Sequence, residues 1–181
     1  MKQIEKKKIT IITVVKNAED KLEDCIKSVL NQNYTNLEYI IIDGNSSDGT
    51  KQIIDKYKNH INKIIIEDDK GIWNAMNKGI KSATGEIITI LNSDDIYQSS
   101  NVISEVVKDI KLDNNNNDIF LGDVVFFKEK NFSFVRRFYS SKHFKPWMLK
   151  IGLMPPHPSS FIKKKVYDEN GLYDASLKLA A

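Results

Sequence analysis

Four short and continuous apolar runs alternate with amphipathic segments in the first half of the chain. The runs are Ile9 to Val15, Tyr39 to Ile42, Lys63 to Ile66 and Ile87 to Leu91. A continuous apolar run is typical of a strand that is covered on both faces. Strands that alternate with helices predict a mostly parallel sheet with right-handed crossovers. The chain is therefore predicted to be an α/β protein whose central sheet is flanked by helices.

The spacing of apolar residues between these runs predicts three crossover helices. The first carries the apolar residues Leu22, Ile26, Val29 and Leu30, and the second carries Ile53, Ile54 and Tyr57. The third is predicted to extend from about Ile72 to Ser82. Asn17 is predicted to cap the first helix, with Asp20 as its capping-box partner. Cys25 lies on the apolar stripe of that helix and is predicted to be a small core residue rather than a reactive thiol.

The chain after residue 95 has a different pattern. Asn101 to Leu112 predicts a helix. The segments Ile119 to Phe127 and Phe132 to Phe138 alternate in polarity and carry aromatic residues, which predicts a small antiparallel pair. Four prolines between Pro146 and Pro158 predict a stiff loop without regular structure.

The composition is that of an ordinary soluble globular protein, with 41% hydrophobic and 28% charged residues among 181. A net charge of +3 is too small to indicate a nucleic-acid partner. The single cysteine excludes an intrachain disulfide and fits a reducing compartment. No run approaches the roughly 18 apolar residues of a membrane span. We expect a cytoplasmic protein, with peripheral contact at the inner face of the cell membrane as an open alternative.

Polar residues follow the predicted strands at the points where the strands end. They are Asn17, Asp43, Asp68, Asp69, Asp94 and Asp95. The carboxyl ends of parallel strands share one edge of a sheet, where α/β proteins bind ligands. Adjacent acids repel each other, so a site that keeps both ionised supplies a cation or strong donors. Carboxylate oxygens suit Mg²⁺ or Mn²⁺, which often bridge to substrate phosphates, although a solvated turn is the alternative.

The motifs of several enzyme classes are absent. The chain has no GxGxxG after the first strand, no GxxxxGK[ST] and no GxSxG nucleophile elbow. His60, His143 and His157 lack the spacing of zinc ligands. The class that remains is a metal held by aspartate, with a nucleoside diphosphate as its anionic partner.

Four segments occur in an order that resembles the family 2 glycosyltransferases with a GT-A fold. They are ITVVKNAEDKLEDCIKSVLNQNY, LEYIIIDGNSSDGT, DKGIWNAMNKGIKSATGEIITILNSDD and PHPSSFIKKKVYDENGLYD. The bacterial members that build surface polysaccharides are the most similar. The resemblance implies transfer of a sugar from a nucleotide-diphosphate donor, with UDP preferred, to a saccharide or lipid-linked acceptor. It also implies inversion at the anomeric carbon and a Mn²⁺ or Mg²⁺ cofactor.

The resemblance also implies roles for individual residues. The donor would be bound by Val15, Lys16, Asn17, Asp43, Asp69, Lys70, Gly71, Asn74, Lys78 and Asp94. Asp43 would accept a hydrogen bond from the base, and Asp95 would hold the metal. Asn92 replaces the first acid of the DxD motif that many relatives carry, which implies a metal site with fewer carboxylate ligands. His157 would contact the acceptor or a donor phosphate, or would only support its loop.

The general base of the family, a carboxylate, is expected just after Ala181. We therefore expect a single GT-A-like catalytic domain that is truncated at its C-terminus. Residues 1–95 would form its nucleotide-binding half and residues 96–181 its acceptor-side half. The alternatives are a non-catalytic nucleotide-sugar-binding module and a nucleotidyltransferase. The latter needs a glycine-rich basic loop after the first strand, which TVVKNAED lacks.

Residues 1–181 alone are expected to bind the donor weakly and to transfer no sugar, because no carboxylate base would activate the acceptor hydroxyl. The measurement is release of the nucleotide and labelling of an acceptor, with UDP-sugars and Mn²⁺. Metal-dependent transfer by this chain would refute the expectation.

Overall fold

The computed structural model describes residues 7–113, 116–127 and 135–177. Its strands are β1 (Ile9–Val15), β2 (Leu37–Asp43), β3 (Lys63–Ile66), β4 (Ile87–Ile90), β5 (Ile119–Leu121), β6 (Val124–Phe127), β7 (Val135–Tyr139) and β8 (Ser160–Lys163). Its α-helices are α1 (Leu22–Leu30), α2 (Thr50–Tyr57), α3 (Ile72–Ser82), α4 (Val102–Leu112) and α5 (Lys164–Asn170). Short 3₁₀ turns cover Lys58–His60, Pro146–Ile151 and His157–Ser159.

The main sheet has the strand order β3-β2-β1-β4-β8-β5, and β6 pairs with β7 in a separate hairpin. β1 lies parallel to β2 on one side and to β4 on the other, with Val15 opposite Asp43 and Ile12 opposite Ile90. β8 runs antiparallel to both β4 and β5. The predicted fold, a mostly parallel sheet flanked by helices with a small antiparallel addition, is confirmed.

The core lies in two layers because successive side chains of each strand point to opposite faces of the sheet. On one face, Ile9 and Ile11 pack with apolar side chains of α1, α2 and α4. On the other face, Ile12 and Val14 pack with Ala75, Met76 and Ile80 of α3. Helix α3 approaches β1 closely at Gly79, where a Cβ atom would clash with the side chain of Ile12. Cys25 is fully buried in the first layer, which confirms its predicted place in the core.

The predicted cap of the first helix is wrong. Helix α1 begins at Leu22, and Lys21 before it makes no side-chain capping bond. Asn17 instead adopts a positive φ of 52°, and its side-chain oxygen accepts a hydrogen bond from the backbone N–H of Ser47. A contact with a distant loop has replaced the local capping interaction.

The structure divides the single strand that was predicted over Ile119 to Phe127. The chain turns at Gly122 and Asp123, so β5 joins the main sheet and β6 forms the hairpin with β7. Residues 132–134 of the predicted partner strand lie outside the described residues, whereas 135–138 are in β7 as predicted. The proline-rich segment is not wholly irregular, because 3₁₀ turns interrupt it and β8 begins at Ser160.

A buried carboxylate, Glu38, ties three segments together at the amino edge of the sheet. It accepts hydrogen bonds from the hydroxyl of Thr10 at 2.6 Å and from the hydroxyl and backbone N–H of Thr84 at 2.6 and 2.7 Å. The ammonium group of Lys8 lies 3.4 Å from Oε1, the carboxylate oxygen that also accepts from the Thr84 hydroxyl. Burial alone would raise the pKa of Glu38, but these hydrogen bonds and Lys8 outweigh it and lower the pKa to about 2.

We expect Glu38→Gln to lower the free energy of unfolding at pH 7 by about 1–3 kcal/mol, because buried donors would lose a charged acceptor. The folded pKa of about 2 lies below the ordinary value of 4.5. The stabilisation from Glu38 is therefore complete above about pH 4.5 and is lost as the pH falls toward 2. Urea unfolding across this range measures the difference between wild type and variant.

The matched control is Glu86→Gln, since Glu86 forms an exposed ion pair with Lys7. We expect it to change stability little at any pH. Equal effects of the two substitutions, or a Glu38→Gln effect that grows as the pH falls, would contradict this account of Glu38.

Candidate functional site

The loops that follow β1, β2, β3 and β4 meet at one edge of the main sheet. These four strands run parallel and are neighbours, so Asn17, Asp43, Asp69 and Asp95 lie along the same edge. The end of β5 and the beginning of β8 reach this edge as well, because β8 is antiparallel to both of its neighbours. Residues from both halves of the chain therefore contribute to one crevice.

A chain of hydrogen bonds joins the loops after β1 and β2. Oδ1 of the fully buried Asp43 accepts hydrogen bonds from the backbone N–H of Ser46, at 3.1 Å, and from its hydroxyl. The same hydroxyl accepts a bond from the backbone N–H of Asn17 at 2.8 Å. Asn17 Oδ1 in turn accepts from the N–H of Ser47 at 2.8 Å. The other carboxylate oxygen, Asp43 Oδ2, is buried and has no hydrogen-bond partner among the described residues.

Asp69 lies against the backbone after β2. A Cβ atom on Gly44 would clash with the carboxylate of Asp69 and come within 3.2 Å of Lys16 Cδ. Glycine at this position therefore lets both side chains approach the end of β2. The side chain of Val15 is buried, so that residue contributes its backbone to the edge, where its carbonyl oxygen accepts from Gly44 N–H at 2.9 Å.

The loop before α3 is held by its own polar groups. Asp69 Oδ1 accepts from Gly71 N–H at 3.0 Å, and Asn74 Oδ1 accepts from Lys70 N–H at 3.4 Å. Gly71 has a φ of 114°, which favours glycine. Lys78 donates to the Asp68 carbonyl at 2.8 Å and pairs with Glu67 at 3.0 Å, so the charge of this predicted donor ligand is already matched.

The acids after β4 have different surroundings. Asp95 is half-buried: its backbone N–H donates to the Asn92 carbonyl at 3.0 Å, and its Oδ2 accepts from Asn92 Nδ2 at 3.2 Å. Burial, and secondly the negative charge of Asp94, raises the pKa of Asp95 to about 6. Asp94 is exposed and lies 3.8 Å from the ammonium group of Lys21.

His157 brings the later part of the chain to this loop. Its Nε2 atom lies 3.1 Å from Asn92 Nδ2. Because the amide nitrogen is a donor, Nε2 accepts this bond and the neutral ring carries its proton on Nδ1. Partial loss of hydration around the ring lowers the pKa of His157 below 6.5, which favours this neutral form at pH 7.

A divalent ion beside Asp95 would need a substrate to supply part of its coordination. The described residues contain no group of three or more His, Cys, Asp or Glu side chains that could hold a metal by themselves. Asn92 Oδ1, however, is buried and has no hydrogen-bond partner among the described residues, whereas Nδ2 of the same amide donates to Asp95 Oδ2. A carboxylate and an amide oxygen are ligands for Mg²⁺ or Mn²⁺ when phosphates and water complete the coordination.

Buried polar side chains of α1, β1 and β2 lie between the loop that contains Asn92 and the core. The Cys25 thiol donates to the Asn92 carbonyl at 3.4 Å, and Thr13 Oγ1 lies 3.1 Å from the hydroxyl of Tyr39 beside it. Burial raises the pKa of the Cys25 thiol to about 12, so the thiol stays protonated and can donate this bond. Cys25 thus contacts the loop that carries Asp95, a role that its place on the apolar stripe did not reveal.

The crevice includes a cleft of about 320 Å³ between the loop 17–21 and Asp48, Ser93 and Asp94. Sequence reasoning missed Ser46, which donates to Asp43, and Lys21, which lies beside Asp94. The Asp43–Ser46 spacing, with a serine three residues after an aspartate, is typical of a side-chain-stabilised turn and could have indicated Ser46. Lys21 is brought to Asp94 by the position of α1 and had no such signal.

The sequence of the chain matches a family model and several curated proteins, and these matches name glycosyltransferases. The family model described as Glycosyl transferase family 2 matches residues 10–170. TuaG, a putative teichuronic acid biosynthesis glycosyltransferase of Bacillus subtilis (strain 168), is 36% identical over 93 residues, which cover 50% of this chain and 37% of TuaG. The first four curated relatives are covered over 26% to 54% of their length, so the chain spans only part of each.

Three solved structures, which belong to two proteins, show the same fold. TarS of S. aureus superposes with a TM-score of 0.74 at 22% identity, over 96% of this chain and 31% of TarS. The mannosyltransferase PcManGT of Pyrobaculum calidifontis, solved with GDP-Man and Mn²⁺, gives 0.68 at 15% identity, over 95% of this chain and 49% of that one. A structure of TarS residues 1–349 with UDP-GlcNAc gives 0.65 at 20% identity, over 90% and 47%. Within the described residues, no helix is long and apolar enough to cross a membrane.

We expect Asp95→Asn to stabilise the metal-free protein at pH 8 by about 1–3 kcal/mol. The folded pKa of about 6 lies above the ordinary value of 3.8, so ionisation of Asp95 costs the folded state stability as the pH rises through this window. The gain should vanish near pH 4, where the carboxyl group is largely protonated in the folded protein. Chemical unfolding in EDTA at both pH values measures the gain.

The matched control is Asp109→Asn, which changes an exposed aspartate of α4. Two results would contradict this account of Asp95: a lower stability of Asp95→Asn than of wild type at pH 8, or a gain in stability at pH 4 as large as that at pH 8.

Proposed function

Since the chain belongs to glycosyl transferase family 2, we propose that it moves a sugar from a nucleoside-diphosphate donor to an acceptor hydroxyl. The proposed donor is a UDP-sugar, and the proposed acceptor is a saccharide or a lipid-linked saccharide of a surface polysaccharide. The reaction is proposed to invert the anomeric carbon and to need Mn²⁺ or Mg²⁺. The family match favours this function over the nucleotidyltransferase alternative.

The buried oxygen Asp43 Oδ2 is the observation that carries the proposal. No described residue donates a hydrogen bond to it, although Oδ1 of the same carboxylate accepts two hydrogen bonds. An unpaired buried acceptor is costly, and a ligand N–H would satisfy it. The N3–H group of uracil is such a donor. The loop after β1, including Lys16 and Asn17, would then lie along the base and the ribose.

The diphosphate is proposed to extend from Asp43 toward the loop after β4. Asp95 and Asn92 would hold the divalent ion there, with Asp94 beside the ribose or the sugar. When bound, the ion would neutralise negative charge on the diphosphate as it leaves. His157, whose neutral ring already contacts Asn92, would present its Nδ1–H to the acceptor or to a phosphate oxygen.

Residues on the other side of the crevice complete the proposed donor site. Asp69, Lys70 and Gly71 would border the nucleotide at the end of β3. Asn74 and Lys78 would support this loop, since Asn74 accepts from Lys70 N–H and Lys78 donates to the Asp68 carbonyl. This is a narrower role than direct contact with the donor.

The acceptor hydroxyl must lose its proton to a general base as it attacks. We propose that a carboxylate serves as this base. The segment that contains Tyr173 is held against α3, because Asn77 and Tyr173 exchange two hydrogen bonds of 2.8 and 3.0 Å. Trp73 lies at the start of α3 with its ring 5.0 Å from that of Tyr173.

Nucleotide preference tests the role of Asp43. Uracil offers a donor at N3 and cytosine an acceptor, so wild type should bind UDP at least tenfold more tightly than CDP in the presence of Mn²⁺. Asp43→Asn keeps the shape of the side chain but can place an N–H where Oδ2 lies. We expect this variant to lose most of its affinity for UDP and the preference over CDP. Calorimetric titration at high nucleotide concentration measures both.

Asp24→Asn, on the exposed side of α1, is the matched control and should leave both affinities unchanged. Thermal unfolding would verify that Asp43→Asn is folded. A wild-type protein that binds UDP and CDP equally, or an Asp43→Asn variant that keeps the UDP preference, would remove the assignment of Asp43 to the base.

A further inference from the structure

An exposed surface that is both apolar and basic lies between β6 and β8. We name it the apolar–basic surface and define it as the exposed side chains of Phe126 and of residues 135–154. Its apolar members, each 44% to 62% exposed, are Phe126, Val135, Phe138, Trp147, Leu149, Ile151, Leu153 and Met154. Single exposed apolar side chains are ordinary, but a group of this size marks an interaction surface.

The two parts of this surface are connected. The hydroxyl of Tyr139, in the hairpin, donates to the Met154 carbonyl at 2.7 Å in the proline-rich segment. Gly152, with a φ of 79°, turns that segment back and donates to the Leu149 carbonyl at 3.1 Å. The hairpin and the 3₁₀ turn after Pro146 are thus held beside each other rather than projecting independently.

The charges of this surface all have one sign. Its exposed cations are Arg136, Arg137, Lys142, Lys145 and Lys150. No aspartate or glutamate occurs between residues 135 and 167, although the chain has 24 acidic residues. Among the residues that the structure describes, none of the five cations forms an ion pair, whereas Lys56, Lys58 and Lys78 elsewhere all do. The complementary partner is therefore anionic.

The apolar groups lie on both faces of the hairpin. Phe126 is opposite Arg137 in the ladder, and the Arg137 guanidinium lies 5.8 Å from the centre of the Phe126 ring. Phe138 is opposite Val125 and therefore lies on the other face. Apolar side chains on both faces, with arginine among them, suit insertion of the hairpin into the headgroup region of a bilayer.

We propose that the apolar–basic surface docks on an anionic lipid bilayer. Trp147 and the aliphatic side chains would enter the boundary between headgroups and acyl chains, a position that tryptophan favours. The lysines and arginines would extend their charged ends to the lipid phosphates. The attachment is peripheral and depends on electrostatic attraction, so salt weakens it.

Docking would also orient the crevice. Only Pro155 and Pro156 separate Met154 from His157, which contacts Asn92 at the crevice. The His157 side of the crevice would then face the membrane, where a lipid-linked acceptor is presented. This consequence rests on the proposed function, but binding to the bilayer does not and is measured without any sugar donor.

Vesicle flotation tests the proposal with the full chain. Wild type should float with vesicles of phosphatidylglycerol and phosphatidylcholine at low salt, and should remain unbound with phosphatidylcholine alone or at high salt. The triple variant Lys145→Ser, Lys150→Ser, Ile151→Ser should lose at least tenfold in partitioning. Trp147 fluorescence should shift to shorter wavelength on binding, and Trp147→Phe should abolish the shift.

The matched control carries Lys108→Ser, Lys111→Ser and Leu112→Ser, which remove two exposed lysines and one exposed leucine from α4. It should bind vesicles like wild type, and thermal unfolding should show both triple variants folded. Equal binding by the two triple variants would overturn the proposal. The proposal would also be overturned if wild type did not bind anionic vesicles but formed dimers, and the Lys145/Lys150/Ile151 variant stayed monomeric. The surface would then contact a second copy of the chain.

Discussion

The hydroxyl and backbone N–H of Ser46 both donate to one oxygen of the buried Asp43 carboxylate, and that hydroxyl also receives the N–H of Asn17. These three bonds join the loops after two parallel strands and leave Asp43 Oδ2 buried, with no hydrogen-bond partner in the described part of the chain. The proposed base-binding position depends on this arrangement, because a carboxylate with both oxygens satisfied would have no need of a ligand. The neighbouring loops are placed around it by the parallel pairing of β1 with β2 and β4.

The crevice combines two environments for carboxylates. Asp43 is held by short local bonds at the end of β2, whereas Asp95 is half-buried beside Asp94 with a pKa raised to about 6. The surroundings of Asp43 favour recognition of a hydrogen-bond donor on a ligand. The surroundings of Asp95 favour a cation that relieves the repulsion between Asp94 and Asp95. Cys25 and Asn92 link the second environment to the core, and His157 links it to the later part of the chain. The proposed site is therefore supported by side chains from distant segments.

The periodicity of the sequence predicted β1, β3 and α3 with the bounds that the structure has, because apolar spacing within one element determines which face is buried. It predicted the Asn17 cap wrongly, because the side chain of Asn17 accepts a hydrogen bond from the backbone N–H of Ser47 in another loop. It also missed β8, a four-residue strand that follows the prolines and is defined by its pairing with β4. Within the site, the acids after each strand were evident, but Lys21 and Cys25 reach them only through packing of α1 on the sheet.

The most direct test of the central claim is a crystal structure of the protein with UDP and Mn²⁺, with anomalous data collected at the manganese edge. The account predicts an anomalous peak beside Asp95, with the uracil N3 within hydrogen-bond distance of Asp43. Nucleotide and manganese bound away from the carboxyl edge of the sheet, or on opposite sides of the molecule, would contradict it.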